Sequence, residues 1–135
     1  MQAWLMPYEP TVIALGVSAL LLCVQLLVLD VAGIVAKHAP GLPIKPDHAS
    51  FLFRASRAHA NTNESIAAFI VLAIVGVLVA ANASWLNTLA WVYVAARSAH
   101  MVAYYLGVQL ARSAAFAVGL LALIGMCAVM VVAFF

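Results

Sequence analysis

The chain has 135 residues, of which 68% are hydrophobic and only 7% charged, with a formal net charge of +2. Soluble domains run near a quarter charged and just under half apolar, so a water-soluble domain of this size could not cover its surface with so few charges. Nothing in the composition marks a nucleic-acid partner. The apolar residues fall into long runs, and a helix needs about 20 of them to cross a hydrocarbon core of ~30 Å. The chain therefore affords roughly four spans in a single membrane domain, residues 1–135.

No removable signal peptide is expected, because Met1–Pro10 carries no Lys or Arg and the apolar run behind it is too long for a signal. The first span is expected over residues 11–35, started by Pro10 and Thr11 and interrupted only by Ser18, Gln25 and Asp30. Residues 37–48, with Pro40, Gly41, Pro43 and Pro46, read as an ordered loop. The second span is expected over residues 50–81. Its first half is polar and its second half, from Ile66 on, is apolar throughout. Asn82-Ala83-Ser84 reads as a tight turn with Ser84 as the helix cap. The third span is expected over residues 85–106 and the fourth over residues 112–134, joined by a turn that includes Gly107. The fold expectation is an all-α integral membrane four-helix bundle with up-down topology. Cys23 and Cys127 stand alone in apolar runs, so they read as buried small hydrophobes rather than a redox pair.

All six Lys and Arg lie between Lys37 and Arg112. Cytoplasmic flanks collect basic residues, so the Lys37–Arg57 region and the Gly107–Arg112 turn should face the cytoplasm, and both termini the other side. Trp4, Tyr8, Trp85 and Trp91 are expected in an aromatic belt on that far side.

Ionisable residues inside spans are costly and are candidate functional groups. On the second span Arg54, Arg57, Asn61 and Glu64 fall at offsets 0, 3, 7 and 10, which places them within an arc of about 80° on one helix face. On the third, Arg97, His100 and Tyr104 form a similar stripe, and Arg112 opens the fourth near the same end. Turned inward, the stripes would line one polar pocket with several arginines and one acid. Glu64 pairing with one guanidinium would leave two or three without a protein anion. Guanidinium binds carboxylates through paired hydrogen bonds, so the pocket suits a small zwitterion with two carboxylates and one amine. A structural network that fixes helix register is the competing reading. Asp30 reads either as a partner for Lys37 or a basic residue of the second span, or as a pocket residue. The four histidines show no HxxxH or HExxH spacing, so no metal or haem site is expected. The small residues Ala114, Ala115, Ala117, Gly119 and Ala122 suit close packing of the fourth span.

The segment Arg54-Ala-Ser-Arg57-Ala-His-Ala-Asn61-Thr-Asn-Glu64-Ser-Ile-Ala-Ala-Phe69 resembles the second-span signature of the MAPEG family, the membrane-associated proteins in eicosanoid and glutathione metabolism. Arg97-Ser-Ala-His100-Met-Val-Ala-Tyr104, followed by Arg112-Ser113, resembles that family's third- and fourth-span signature. The likeness is to its bacterial-type members and to microsomal glutathione transferase and prostaglandin E synthase. The resemblance implies a homotrimer, with glutathione as cosubstrate in a cytoplasm-facing pocket between neighbouring subunits of a bacterial inner-membrane protein. It implies that Arg57, Asn61, Glu64, His100 and Tyr104, with Arg54 and Arg97 beside them, hold the tripeptide. It also implies that Arg112 stabilises the thiolate next to Ser113. Phe116 stands where some members carry a tyrosine, and Ala60 where the prostaglandin synthase carries a basic residue. The implied activity is thus a generic glutathione transferase or peroxidase acting on a lipophilic small-molecule substrate from the membrane lipids. A non-enzymatic trimer with a vestigial pocket and a small-molecule transporter are the rival classes.

Overall fold

The computed structural model describes residues 3–135, and among these it is all-α. A 3₁₀ segment, Ala3–Tyr8, leads into α1 (Glu9–Val35), which is followed by α2 (Phe51–Leu78), α3 (Ala83–Leu106) and α4 (Gln109–Phe134). Each expected span lies on one of these helices, although α2 ends a turn sooner and α4 begins a turn earlier than the sequence suggests. With 24 to 28 residues apiece, the helices are about 36–42 Å long, enough for a hydrocarbon core of ~30 Å. Three of them, α1, α2 and α4, are long and apolar enough to cross a membrane on length and composition alone. The lower hydropathy of α3 comes from residues such as Arg97 and His100, which are buried inside the bundle and so present no charge to lipid.

Local chemistry sets the helix ends. Ser50 caps α2 through its side chain, which accepts from the Phe53 amide at 3.4 Å. At α3 the cap is Asn82, accepting from Trp85 N at 3.1 Å, and not Ser84 as the sequence suggested. The carboxamide oxygen reaches the third amide of the helix and leaves Ser84 inside the first turn. The helices α1, α2 and α3 all close with the same pair of backbone bonds around a left-handed residue: Lys37, Ala80 and Gly107 in turn. Only Gly107 takes that conformation without a steric cost. It lets α3 reverse into α4 with a single residue, Val108, before the next helix starts.

The central pair is α2 and α3, with α1 packed on both from one side and α4 on both from the other. The core is continuous from Ala14 through Ile66, Phe69, Leu86, Tyr93 and Met126. Phe69 and Tyr93 stack with centroids 4.3 Å apart and planes at 12°. Outward faces carry exposed Leu20, Leu27, Leu121, Ile124 and Val132. Such a surface would be untenable on a soluble monomer but is the natural solvent-facing surface in lipid. The protein is an integral membrane four-helix bundle.

Three expectations fail here for physical reasons. Tyr8 is buried rather than in a belt, because its hydroxyl donates to the carbonyl of Ala81 at 2.6 Å. Cys23 and Cys127 are exposed free thiols, not buried ones, since they fall on the outer faces of α1 and α4. Asp30 is exposed and forms no ion pair with Lys37 or with α2.

Polar contacts also clasp the end of the bundle that holds the termini. Thr11 Oγ1 donates to Asn87 Oδ1 at 2.7 Å, its amide reaches the same oxygen at 3.2 Å, and Asn87 Nδ2 donates to Pro7 O at 2.9 Å. Deeper in the bundle Gln25 Nε2 donates to Thr62 Oγ1 at 3.0 Å.

Candidate functional site

Along α2 the buried row is Leu52, Ala55, Ala58, Thr62 and Ile66. The polar stripe sits one residue behind it, on the flank that turns toward α3 and α4. Along α3, Arg97, His100 and Tyr104 are all buried. Where these flanks meet the start of α4, Asn61, His100, Tyr104, Arg112, Ser113 and Phe116 line a cavity of about 220 Å³.

Arg112 is held by a ring beneath it: its guanidinium carbon lies 4.6 Å from the centroid of Tyr104, a contact worth about 0.5–2 kcal/mol depending on desolvation. Tyr104 in turn meets His100 edge-on, with centroids 4.9 Å apart. Ser113 lines the cavity, and its hydroxyl donates back to Gln109 O at 3.3 Å.

Arg97 is 2% exposed, and no acid is bonded to it. Its Nη1 donates to Asn61 Oδ1 at 2.7 Å. Its guanidinium lies between two rings, 5.4 Å from the centroids of both Tyr93 and Phe116. Gly119 makes the room, since a Cβ there would stand 3.4 Å from Nε and Nη2. A guanidinium can only donate, so the Asn61 atom facing it must be the oxygen, which leaves the Nδ2 donors of Asn61 for the cavity. Arg97 Nε is buried without a partner. Burying a cation costs several kcal/mol unless an anion compensates it, and within the described chain none does.

The remaining expected site residues are placed otherwise. Arg54 does not enter this cavity. Its Nη1 donates to His48 O and Ala49 O, both at 2.8 Å, and Nη2 approaches Tyr105 O at 3.5 Å, so its main contacts hold the loop against the end of α3. Glu64 is exposed and pairs with no arginine, contrary to the balance drawn from the sequence. Arg57 is half-buried with no bond to another described residue. Among the described residues no three His, Cys, Asp or Glu side chains come close enough to hold a metal ion. Sequence reasoning did not single out Tyr93, and it read Gly119 only as generic close packing and Phe116 only as a replaced tyrosine. The signal was present: Arg112, Phe116 and Gly119 fall at offsets 0, 4 and 7, and Tyr93 precedes Arg97 by one turn.

The arrangement can do two things chemically. It offers donors and positive charge, with no carboxylate among the cavity residues, to an anionic guest. It also sets one guanidinium, Arg112, at the cavity wall, where it could stabilise a developing anion such as a thiolate.

Comparison with curated proteins gives no match. Comparison with protein-family models gives a match to the family described as MAPEG family over residues 11–132, nearly the whole chain. The match takes in all four helices and every residue of the cavity, and the chain belongs to the MAPEG family.

Proposed function

We propose that the protein is a glutathione-dependent transferase or peroxidase of a bacterial inner membrane, with its termini on the non-cytoplasmic side. The observation that carries this reading is the presence of two guanidiniums that no acid among the described residues neutralises, Arg97 bonded to the cavity residue Asn61 and Arg112 in the cavity wall. Glutathione brings two carboxylates, one ammonium and a thiol, which matches donors supplied by Asn61, Arg112 and Arg57, with Glu64 available to the ammonium.

The cavity within one chain is about 220 Å³, below the roughly 300–1,000 Å³ of ordinary ligand sites. Arg57 and Glu64 are also left without partners among the described residues. Both facts support a site completed by a neighbouring subunit, as in a homotrimer.

Arg112 acts on the sulfur. A free thiol with a pKa of roughly 8.5 is only ~3% thiolate at pH 7, and a guanidinium that lowers it by ~2 units raises this to ~75%. The thiolate then forms a carbon–sulfur bond to a lipophilic electrophile while the leaving group departs with its electron pair. In the peroxidase variant the thiolate attacks the terminal oxygen of a hydroperoxide, the O–O bond breaks, the alcohol leaves, and a second glutathione thiol converts the sulfenic acid to the disulfide with release of water.

The test is ultraviolet difference spectroscopy of the thiolate with glutathione and detergent-purified protein across pH. In the wild type the band should grow through about pH 6.5; in Arg112→Ala it should move up to about pH 8.5, costing roughly 25-fold in thiolate at neutral pH. An unmoved band removes Arg112 from the mechanism. Absence of any glutathione binding returns the protein to the non-enzymatic class.

A further inference from the structure

The loop after α1 folds back over the end of that helix and frames another cavity. It measures about 470 Å³ and shares no residue with the cavity of Asn61 and Arg112. Its volume falls within the roughly 300–1,000 Å³ of ordinary ligand sites. Asp30 and His38 are its polar residues, set among Ile34, Leu42, Ile44 and Leu52.

The polar groups that face it can only accept. A carboxylate offers acceptors alone, and Asp30 has no ion-pair partner among the described residues. His38 Nε2 lies 3.0 Å from Leu42 O. A carbonyl cannot donate, so Nε2 carries the proton, and in the neutral ring Nδ1 is left as an acceptor. No Lys or Arg lines the cavity. The last turn of α1 lies here as well, through Ile34, and the C-terminal end of a helix favours a cation. The arginine-lined cavity offers donors and positive charge, and this one offers the reverse.

Depth narrows the choice of cation. The 27 residues of α1 extend about 40 Å, so a hydrocarbon core of ~30 Å leaves about 5 Å of helix at either end. Asp30 stands five residues before the end at Val35, about 7.5 Å in along the axis. That is where hydrocarbon gives way to headgroups, and an acid left unpaired there is costly. Ile34 and Leu42, 78% and 62% exposed, carry the rim of the cavity out to the acyl chains. Lys37 and Lys45 adjoin His38 and Ile44 in the chain and are exposed, which adds positive charge for a phosphate outside the cavity.

We propose that the cavity of Asp30 and His38 seats the primary ammonium of a phosphatidylethanolamine-type bilayer lipid, in the leaflet at the basic end of the bundle. A primary ammonium has three N–H donors for the carboxylate and Nδ1. A quaternary ammonium has none, so the site separates ethanolamine from choline headgroups. This inference rests on the membrane bundle alone and is independent of the glutathione-dependent reading.

The test titrates phosphatidylethanolamine, its N-monomethyl derivative and phosphatidylcholine, all with the same acyl chains, into the purified full chain in detergent. Bound lipid is counted by native mass spectrometry, and the thermal midpoint is read in parallel, since a ligand of the folded state raises it. Phosphatidylethanolamine should bind at least tenfold more tightly than phosphatidylcholine and should raise the midpoint more, with the monomethyl lipid between them. Asp30→Asn should erase that preference, and Asp30→Glu should keep most of it. Asp30 is exposed, so neither variant removes a core contact. Equal binding of the three lipids, or a preference that survives in Asp30→Asn, overturns the proposal. So does displacement by free ethanolamine at equal concentration, which would make the cavity a site for soluble amines. Displacement by potassium or magnesium salts at equal concentration would make it a site for inorganic cations and overturn the lipid assignment. Loss of subunits from the Asp30→Asn assembly would assign the acid to a contact between copies and overturn it too.

Discussion

The two ends of the bundle treat polar groups in opposite ways. Near the termini, Tyr8, Thr11 and Asn87 satisfy one another and the backbone within the chain, and their bonds tie the 3₁₀ segment to α3 and to the turn before it. Ser18 Oγ and Gln25 Oε1 along α1 are buried without partners, but most such atoms gather at the basic end: Arg54 Nε, His59 Nδ1, Arg97 Nε, His100 Nδ1 and Tyr105 Oη. In a medium that supplies no hydrogen bonds of its own, completed polar groups stabilise and uncompleted ones cost roughly 1–3 kcal/mol each. The first end is built for stability, and the second holds capacity that only something outside the chain can use.

That contrast can be broken by moving stability and binding apart. The largest expected effect is at the closed end. Leu86 is fully buried, so Leu86→Ala should cost about 2–5 kcal/mol in a denaturing-detergent titration, while glutathione affinity of the folded fraction stays the same. A drop in affinity would show that the two ends are not separable. Next is Arg97→Met. Replacing a buried, uncompensated cation by an apolar side chain of similar length is often neutral or stabilising, so the thermal midpoint should hold or rise. Loss of the bond that orients Asn61 should meanwhile weaken glutathione about tenfold, or ~1.4 kcal/mol. Unfolding of this variant would make Arg97 a structural residue and remove the support for an anionic guest. The smallest effect is Tyr8→Phe, which deletes the bond to Ala81 and should cost about 1 kcal/mol with no change in the pH at which bound thiolate forms.

Much of the fold was legible because apolar run length is a local property. The spans and the proline-rich loop follow from composition and residue type alone, whereas the α3 cap, read at Ser84, lies at Asn82. The polar stripes were legible for the same reason, since offsets of 3, 4 and 7 define a face whatever the partner helix does. The destination of a long side chain is not local. Arg54 shares a stripe with Asn61, yet two loop carbonyls within reach take its Nη1. Glu64 shares the stripe too, but it lies far enough round the helix to be exposed and meets no arginine of its own chain. Tyr8 looks like any interfacial aromatic until the Ala81 carbonyl is brought 73 positions along the chain to meet it. The Gly119 cradle was hidden because a glycine in an alanine-rich helix reads as generic close packing, and only the approach of Arg97 gives it a specific use.

The reversal at Gly107 has a consequence for how such a protein can diverge. Five of the six residues around the larger cavity, His100, Tyr104, Arg112, Ser113 and Phe116, sit on the rigid hairpin it creates, and α2 supplies only Asn61. On the proposed glutathione-dependent reading, the residue assigned to the sulfur, Arg112, sits on the hairpin, while α2 supplies Asn61, Arg57 and Glu64 toward the peptide. That reading expects changes along α2 to alter which thiol binds while the hairpin keeps its geometry.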